Sequence, residues 1–400
     1  MPKPRVLVFA ETPWPSGGGA ELATHLFINS LIHQGFTVTI VTGQQSVRLQ
    51  EGATTLVNRA LRANSKTELW IKILSHEATF ENVIRDHEVV YIPRFSYPIA
   101  PVAKRLGKKV LVHLHDYLPI SYTATVPAPY EHTSDYLGRV KAFNLWLERK
   151  KGRSAQSLAV FGNLHTRLAR YWLGYADHLI CVSDRQMQII SALAPELGGL
   201  LSRVYNPLPD MPKGQDRSRG EPLFLYVGGG AYHKGFQVFI KAANQLLSQG
   251  VNVKFLMTGS TNHRFDSLFS YARYRFDGAF EALGRLPHSQ VLEKYFTVRG
   301  LISPSIWEEP LSYAVAESMA AGTIPVASNV GGNSELVRGS AAEPYLFDSF
   351  RSDSLARNIE TILSLSEGEL INIGENLRSS ILTTLRAEET TERFVRFFEN

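Results

Sequence analysis

Apolar positions in the first half of the chain fall into short runs separated by stretches of helical periodicity. Arg5 to Ala10 reads as a strand, Thr12 to Gly19 as a Pro/Gly-rich loop, Ala20 to Gln34 as an amphipathic helix stopped by Gly35, and Thr37 to Thr42 as a second strand. Further apolar runs follow at Glu88 to Ile92, Lys109 to His113 and His178 to Val182. Strands alternating with helices predict an α/β architecture with a mostly parallel, doubly wound sheet.

The rhythm breaks at Asn206 to Pro222, which is rich in Pro, Gly and charge and poor in large apolar residues, as linkers are. It restarts with a strand (Leu223 to Val227), a Gly-rich turn, a helix (Gly235 to Gln249), a strand (Asn252 to Met257) and a helix from His288. Then come a strand (Gly300 to Ile302), a helix (Ser312 to Ala321), a strand (Ile324 to Ala327), a Gly-Gly turn, a strand (Tyr345 to Phe347) and, beyond Asp353, helices to the end. The expected division is a Rossmann-like domain over 1–205, a linker over 206–222, a second Rossmann-like domain over 223–383, and a C-terminal helix over 384–400 that can pack back on the first domain. A chain of 400 residues is too long for one ordinary core, which agrees with two domains.

Composition adds little to this picture. Hydrophobic residues at 44% and charged residues at 20% fit a soluble globular chain, and no apolar run approaches the roughly 20 residues that cross a bilayer. A single cysteine, Cys181, allows no internal disulfide, so a cytoplasmic location is expected. Charge is more telling, because residues 1–205 hold 23 Lys and Arg against 15 Asp and Glu, +8, while the remainder holds 19 against 22, −3. Much of the excess lies in 138–175, where Arg139, Lys141, Arg149, Lys150, Lys151, Arg153, Arg167 and Arg170 interleave with Phe143, Trp146, Phe161, Tyr171 and Trp172. Such a stretch suits contact with an anionic membrane surface, or a helix pair with a solvated basic face. With no recognisable reading module, nucleic acid is not an expected partner.

Candidate chemistry concentrates after the linker. In Glu309-Pro-Leu-Ser-Tyr-Ala-Val-Ala-Glu317, Ser312 falls where a helix N-cap would, so backbone N–H groups there can face a diphosphate. Glu309 precedes the cap, free to reach a sugar hydroxyl, and Glu317 follows within little more than a turn, able to accept from ribose hydroxyls. Upstream, Gly228-Gly229-Gly230 and Lys234 form a strand-to-helix turn that can cradle phosphate or be a plain turn with a surface lysine. Gly17-Gly18-Gly19 offers similar close backbone approach, or a tight turn. His113 and His115 share a strand face, His115 at the carboxyl edge where a doubly wound domain places its chemistry. Without an Asp-x-Asp pair, or a third ligand beside these histidines, no metal site is expected.

The pattern Glu309 to Val326 resembles the E-x7-E signature of retaining glycosyltransferases of family 4, with Leu311, Ser312 and Tyr313 standing where Phe, Gly and Leu are usual. Gly18-Gly19-Ala20-Glu21, Asp177 to Ser183, Asn206 and Gly331-Gly332-Asn333-Ser334-Glu335 are similar to other segments of that family, and Gly228 to Gly235 resembles its donor-phosphate loop, with Gly229 where an Arg belongs. The resemblance implies a GT-B fold of two facing Rossmann-like domains with a cleft between them. It implies a nucleoside diphosphate sugar as co-substrate, with no cofactor, and transfer to a glycan or lipid-linked acceptor. Glu309, His115 and Lys234 are then the catalytic residues, and Gly18, Gly19, Gly229, Gly230, Lys234, Glu309, Leu311, Ser312, Tyr313 and Glu317 the donor-binding ones. Two other readings stand beside it: a GT-B subunit that binds without activity, and another GT-B enzyme such as a sugar-nucleotide epimerase.

Overall fold

The computed structural model describes residues 3–44, 51–151, 162–212, 221–259 and 266–399. Contacts divide the chain into two units, Met1–Pro207 with Ala387–Asn400, and Leu208–Arg386. Among the described residues the first is built on seven strands, β1 (Arg5–Phe9), β2 (Thr37–Thr42), β3 (Ala53–Val57), β4 (Val89–Ile92), β5 (Lys109–Leu114), β6 (His178–Cys181) and β7 (Leu201–Arg203), in the order β3-β2-β1-β4-β5-β6-β7. The second is built on five, β8 (Leu223–Val227), β9 (Lys254–Thr258), β10 (Phe280–Gly284), β11 (Gly300–Ser303) and β12 (Ile324–Ala327), in the order β10-β9-β8-β11-β12. Every pairing is parallel.

Central strands are apolar without alternation because helices cover both faces. Val6 to Phe9 in β1 and Val90 to Ile92 in β4 are fully buried. Strand order reverses between β1 and β4 in the first unit and between β8 and β11 in the second, so each sheet has one switch point where successive connections leave in opposite directions.

Three strands are absent from the periodicity reading: β3, β7 and β10. All lie at sheet edges, and β3 and β10 are largely exposed, so their sequences, ATTLV and FEALG, lack a central strand's apolar run. The strand expected at Tyr345 to Phe347 is instead a 3₁₀ turn, Glu343–Tyr345, followed by a single parallel bridge from Phe347 to Ser328. Pro344 fixes φ and has no N–H to give a ladder, which favours the turn. The late Gly-Gly pair is a helix start, Gly331–Val337, rather than a turn.

The last helix, Ala387–Glu399, belongs to the first unit. Arg386, in the left-handed region at φ 37°, ends the helix Glu367–Leu385 and redirects the chain. Phe394 then packs 4.2 Å from Phe27 of the helix Gly19–His33 and 5.6 Å from Tyr91 of β4, while Phe398 meets Phe36 and Tyr91. Lys3 pairs with Glu399 at 3.2 Å, so the two ends of the chain meet. Phe394→Ala is expected to lower the stability of the first unit by about 3–5 kcal/mol, since it empties a fully buried aromatic site; urea unfolding followed by near-ultraviolet circular dichroism checks this.

Candidate active site

In the second unit the two loops that leave the switch point meet in a buried ion pair. The connection after β8 ends in the 3₁₀ turn Tyr232–Lys234, and the connection after β11 runs through Pro304 to Glu309 before the helix Tyr313–Ala320. Lys234 Nζ lies 2.7 Å from Glu309 Oε1 and 2.8 Å from Oε2. Glu309 is only 5% exposed and also accepts from Ser305 Oγ and Trp307 Nε1, each at 3.0 Å. Burial pushes its carboxyl up, but the charge and hydrogen bond of Lys234, with His233 and Ser305, more than offset this and hold it below the usual range. Lys234 keeps about a third of its side chain exposed, 31%, and so can reach outward from a partner that cannot.

The loop bearing Glu309 is fixed by backbone packing from both sides. Gly235 has φ 76°, and a Cβ there would stand 1.7 Å from the Pro304 carbonyl; Gly331 has φ 54°, and a Cβ there would stand 1.9 Å from the Glu309 carbonyl. Only glycine allows both the left-handed backbone and that approach. Gly331 N–H donates to Glu308 Oε2 at 2.7 Å, Gly332 N–H to Glu309 O at 2.8 Å, and Ile306 N–H to His233 O at 3.0 Å. The carboxylate is thus held by a rigid loop rather than by its rotamer alone.

Ser312 caps the helix Tyr313–Ala320, its hydroxyl accepting from Val315 N–H, and Leu311 and Tyr313 flank it half-buried. Glu317 turns inward. It is 3% exposed, with Oε1 2.7 Å from His288 Nε2 and Oε2 accepting from Tyr295 Oη at 3.2 Å. Burial dominates and raises its pKa, with His288 and Tyr295 only partly opposing. Of the glycines in the turn after β8, Gly229 and Gly230 are buried, and Gly229 N–H is committed to the Thr258 carbonyl at 2.9 Å.

In the first unit the equivalent switch point carries its own charge pair. Glu21 at the start of the helix Gly19–His33 meets Arg94, just after β4, at 3.0 Å. Gly18 caps that helix and its N–H donates to Glu21 Oε2 at 2.7 Å, so this amide is spent inside the loop. Gly19 is the first helical residue. Glu11, half-buried near the pair, accepts from Ser96 Oγ at 2.5 Å and Phe95 N–H at 3.1 Å, and desolvation raises its pKa despite these bonds. His115 follows β5, its ring stacked 4.2 Å from His113, and its Nε2 is buried with no hydrogen-bond partner among the described residues. Burial, reinforced by His113 and Arg94, depresses its pKa well below the usual histidine range and keeps it neutral at pH 7. His113 is a core residue, pushed down to about 3 by burial and 2.9 Å from Tyr91 Oη.

The site residues expected from the sequence thus divide between the units, with Glu309, Lys234, Gly229, Gly230, Leu311, Ser312, Tyr313 and Glu317 in one and Gly18, Gly19 and His115 in the other. Ser305 and Trp307 escaped notice although they stand four and two residues before Glu309, where their loop could have been read as a carboxylate nest. His288 and Tyr295 lie 29 and 22 residues from Glu317 and left no local signal. The basic stretch is described only in part: residues 152–161, with Arg153 and Phe161, and the side chains of Arg149, Lys150 and Lys151 lie outside the described residues. Among the described residues no helix is long and apolar enough to cross a membrane.

A pH dependence follows from Glu317. Its raised value means that the native state keeps a proton the unfolded chain releases near 4.5, so its contribution to stability is full below that pH and is lost as pH rises through the native value. Glu317→Gln is expected to remove this part of the pH dependence, as read from urea unfolding midpoints across that range; an unchanged profile would show that the carboxyl titrates alike in both states.

Residues 209–379 match the family model described as Glycosyl transferases group 1. An uncharacterised 42.6 kDa protein of the cps region of Klebsiella pneumoniae is 24% identical over 381 residues, covering 89% of this chain and 92% of that protein. The lipopolysaccharide 1,2-N-acetylglucosaminetransferase of Salmonella typhimurium is 27% identical over 212 residues, 50% of this chain and 55% of that enzyme. Among solved structures, Anabaena HepE in complex with UDP-glucose superposes with a TM-score of 0.69 at 15% identity, over 98% of each chain. The chain therefore has the GT-B fold of two Rossmann-like units, and the glycosyltransferase group 1 match falls within the second of them.

Proposed function

We propose that the protein is a retaining, metal-independent hexosyltransferase of family 4 that moves a sugar from a nucleoside diphosphate sugar to an acceptor hydroxyl. The donor is held by the second unit and the acceptor by the first. The observation that carries this reading is the buried Glu309 carboxylate paired with Lys234 at the β8/β11 switch point, beside the capped N-terminus of the helix Tyr313–Ala320. A buried ion pair in a switch-point crevice is costly to keep for stability alone, and its chemistry suits a sugar diphosphate. Anabaena HepE, solved with UDP-glucose, makes that donor the first to test. The likeness to a lipopolysaccharide glycosyltransferase and to a cps-region protein favours a glycan precursor, lipid-linked or cell-surface, as acceptor.

In the proposed reaction the bond from the anomeric carbon to the diphosphate oxygen breaks and the diphosphate leaves with the electron pair. The acceptor oxygen bonds to the same face of the anomeric carbon, and its proton passes to the departing diphosphate. Lys234, swinging its partly exposed ammonium from Glu309, and the N–H groups beyond Ser312 stabilise the charge that develops. Glu309, fixed by Ser305 and Trp307, receives the sugar hydroxyls. Glu317 has about four acceptor sites, two of them taken by His288 and Tyr295, and offers the rest to ribose. His115, kept neutral by burial, has a ring nitrogen that no described group engages and that would meet an acceptor hydroxyl only if the surrounding side chains shift.

A second observation favours peripheral membrane contact at the cytoplasmic face. The helix Gly162–Leu173 exposes Leu164, Leu168 and Tyr171, spaced four and three residues apart on one face, and the helix Tyr136–Lys151 exposes Leu137 and Leu145. Apolar side chains set beside Arg139 and Arg167 have the composition of an interfacial helix surface.

Glu309→Gln should lower sugar transfer from UDP-glucose by about a hundredfold or more while the protein stays folded. Chromatography of transferred sugar and free UDP reads it; undiminished transfer removes Glu309 from the chemistry, UDP-glucose turned over without release of UDP favours the epimerase, and wild type inactive on all common sugar nucleotides favours the binding subunit. For the membrane face, Leu164→Ser with Leu168→Ser should reduce co-sedimentation with anionic vesicles. Equal sedimentation of variant and wild type would leave this face a solvated surface.

A further inference from the structure

At the amino-terminal edge of the first sheet, away from the carboxyl ends that carry Glu21, Arg94 and His115, three distant segments line an open groove of about 680 Å³. The end of the helix Ile99–Arg105 and the start of β5 supply Lys104, Lys108 and Lys109, the start of β6 supplies Asp177 and His178, and the last helix supplies Arg393, Arg396 and Phe397. Five permanent cations thus face one carboxylate. Both oxygens of Asp177 are already engaged, Oδ1 with Lys104 Nζ at 2.8 Å and Oδ2 with Val110 N–H at 2.7 Å. Lys108 Nζ donates to the Arg85 carbonyl, and Arg396 reaches Glu392 at 3.6 Å on the open side of its helix. Lys109 and Arg393 have no ion-pair partner among the described residues.

A solvated basic face is convex and local, with its charges spread along one helix. Here the charges converge from positions nearly 300 residues apart on a concave surface, where low-dielectric walls focus the field and concentrate counter-ions. Burial also lowers the pKa of Lys109, with Asp177 only partly opposing, so the ammonium lacks a full counter-charge. Arg393 and Arg396, three residues apart, share one helix face and can offer their guanidinium forks to one group together. Phe397, packed 4.8 Å from His178, forms an apolar wall beside them. The volume falls in the usual range for small-ligand sites, about 300–1,000 Å³, and exceeds what a single inorganic ion fills.

We infer that this groove is a second binding site, for a phosphate-bearing anion, formed when the C-terminal helix docks on the first unit. It owes nothing to the donor site, since its residues lie in another unit and at the opposite sheet edge from the carboxyl ends. Phosphate oxygens arranged as in a diphosphate or a phosphorylated head group would take the arginine forks and Lys109 together. The ligand is either a soluble phosphorylated molecule or the head group of an anionic lipid, and both share this chemistry.

The test compares the full-length wild type with an Arg393→Gln, Arg396→Gln variant. Both arginines are exposed, so the variant should unfold at the wild-type midpoint; Lys109→Gln is a second, independent variant. Inorganic pyrophosphate titrated calorimetrically at low ionic strength should bind the wild type about tenfold more tightly than either variant, a difference that added salt erases. Pyrophosphate held at Lys234 would be common to all three proteins, so the difference reads the groove alone. In a second arm, the proteins are sedimented with vesicles of phosphatidylcholine and phosphatidylglycerol. Sedimentation that needs the arginines and is displaced by pyrophosphate identifies a lipid head group, whereas arginine-dependent pyrophosphate binding without such sedimentation identifies a soluble ligand. Binding that is the same in wild type and variants in both arms, or absent from both, overturns the site.

Discussion

A parallel sheet that reverses its strand order leaves a gap at the carboxyl ends of two neighbouring strands, because the connections that follow them depart to opposite faces. Both units of this protein are organised around that constraint. In the second, the gap between β8 and β11 receives Lys234 from one loop and Glu309 from the other; in the first, the gap between β1 and β4 receives Glu21 and Arg94. The pair in the second unit is the more demanding. Its carboxylate is buried, and an ionised group there survives only because a cation, a hydroxyl and an indole N–H meet it together. Gly235 and Gly331 serve that arrangement by letting two backbones press against the Pro304–Glu309 loop where any side chain would collide.

The last helix imposes a second constraint, on the order in which the chain can finish folding. Phe394 and Phe398 fill aromatic space between the helix Gly19–His33 and the core residue Tyr91, yet they arrive only after the whole second unit has been traversed. The first unit is therefore complete only when the two chain ends meet, at Lys3 and Glu399. The same docking sets Arg393 on the groove that Lys109 lines, so an aromatic packing contact and a charge cluster come from neighbouring faces of one helix.

Buried and half-buried polar groups recur at these carboxyl edges. Glu11 and Glu317 have raised pKa values and His115 a depressed one, each chiefly because burial penalises its charged form. A core assembled for stability alone would place apolar side chains there. Their retention at the ends of the strands, where an open α/β sheet binds its ligands, is consistent with a site whose polar groups await partners of their own.

Central strands were legible in the sequence because a strand buried on both faces must be apolar throughout, and Val6 to Phe9, Val89 to Ile92 and Phe224 to Tyr226 show it. Helix starts were legible where capping is local, as at Ser312, and the spacing of Glu309 and Glu317 was enough to mark one loop and one helix as a candidate site. Edge strands such as β3 and β10 were not legible, since exposure on one side relaxes the pattern that identifies them. Nor was the inward turn of Glu317 towards His288 and Tyr295, the clamping of Glu309 by two glycines, or the convergence of Lys109 and Arg393 on one groove. Local propensity and periodicity act over a few residues, so they determine elements and caps; pairing across tens or hundreds of residues depends on which surfaces are buried together, and only the tertiary structure decides that.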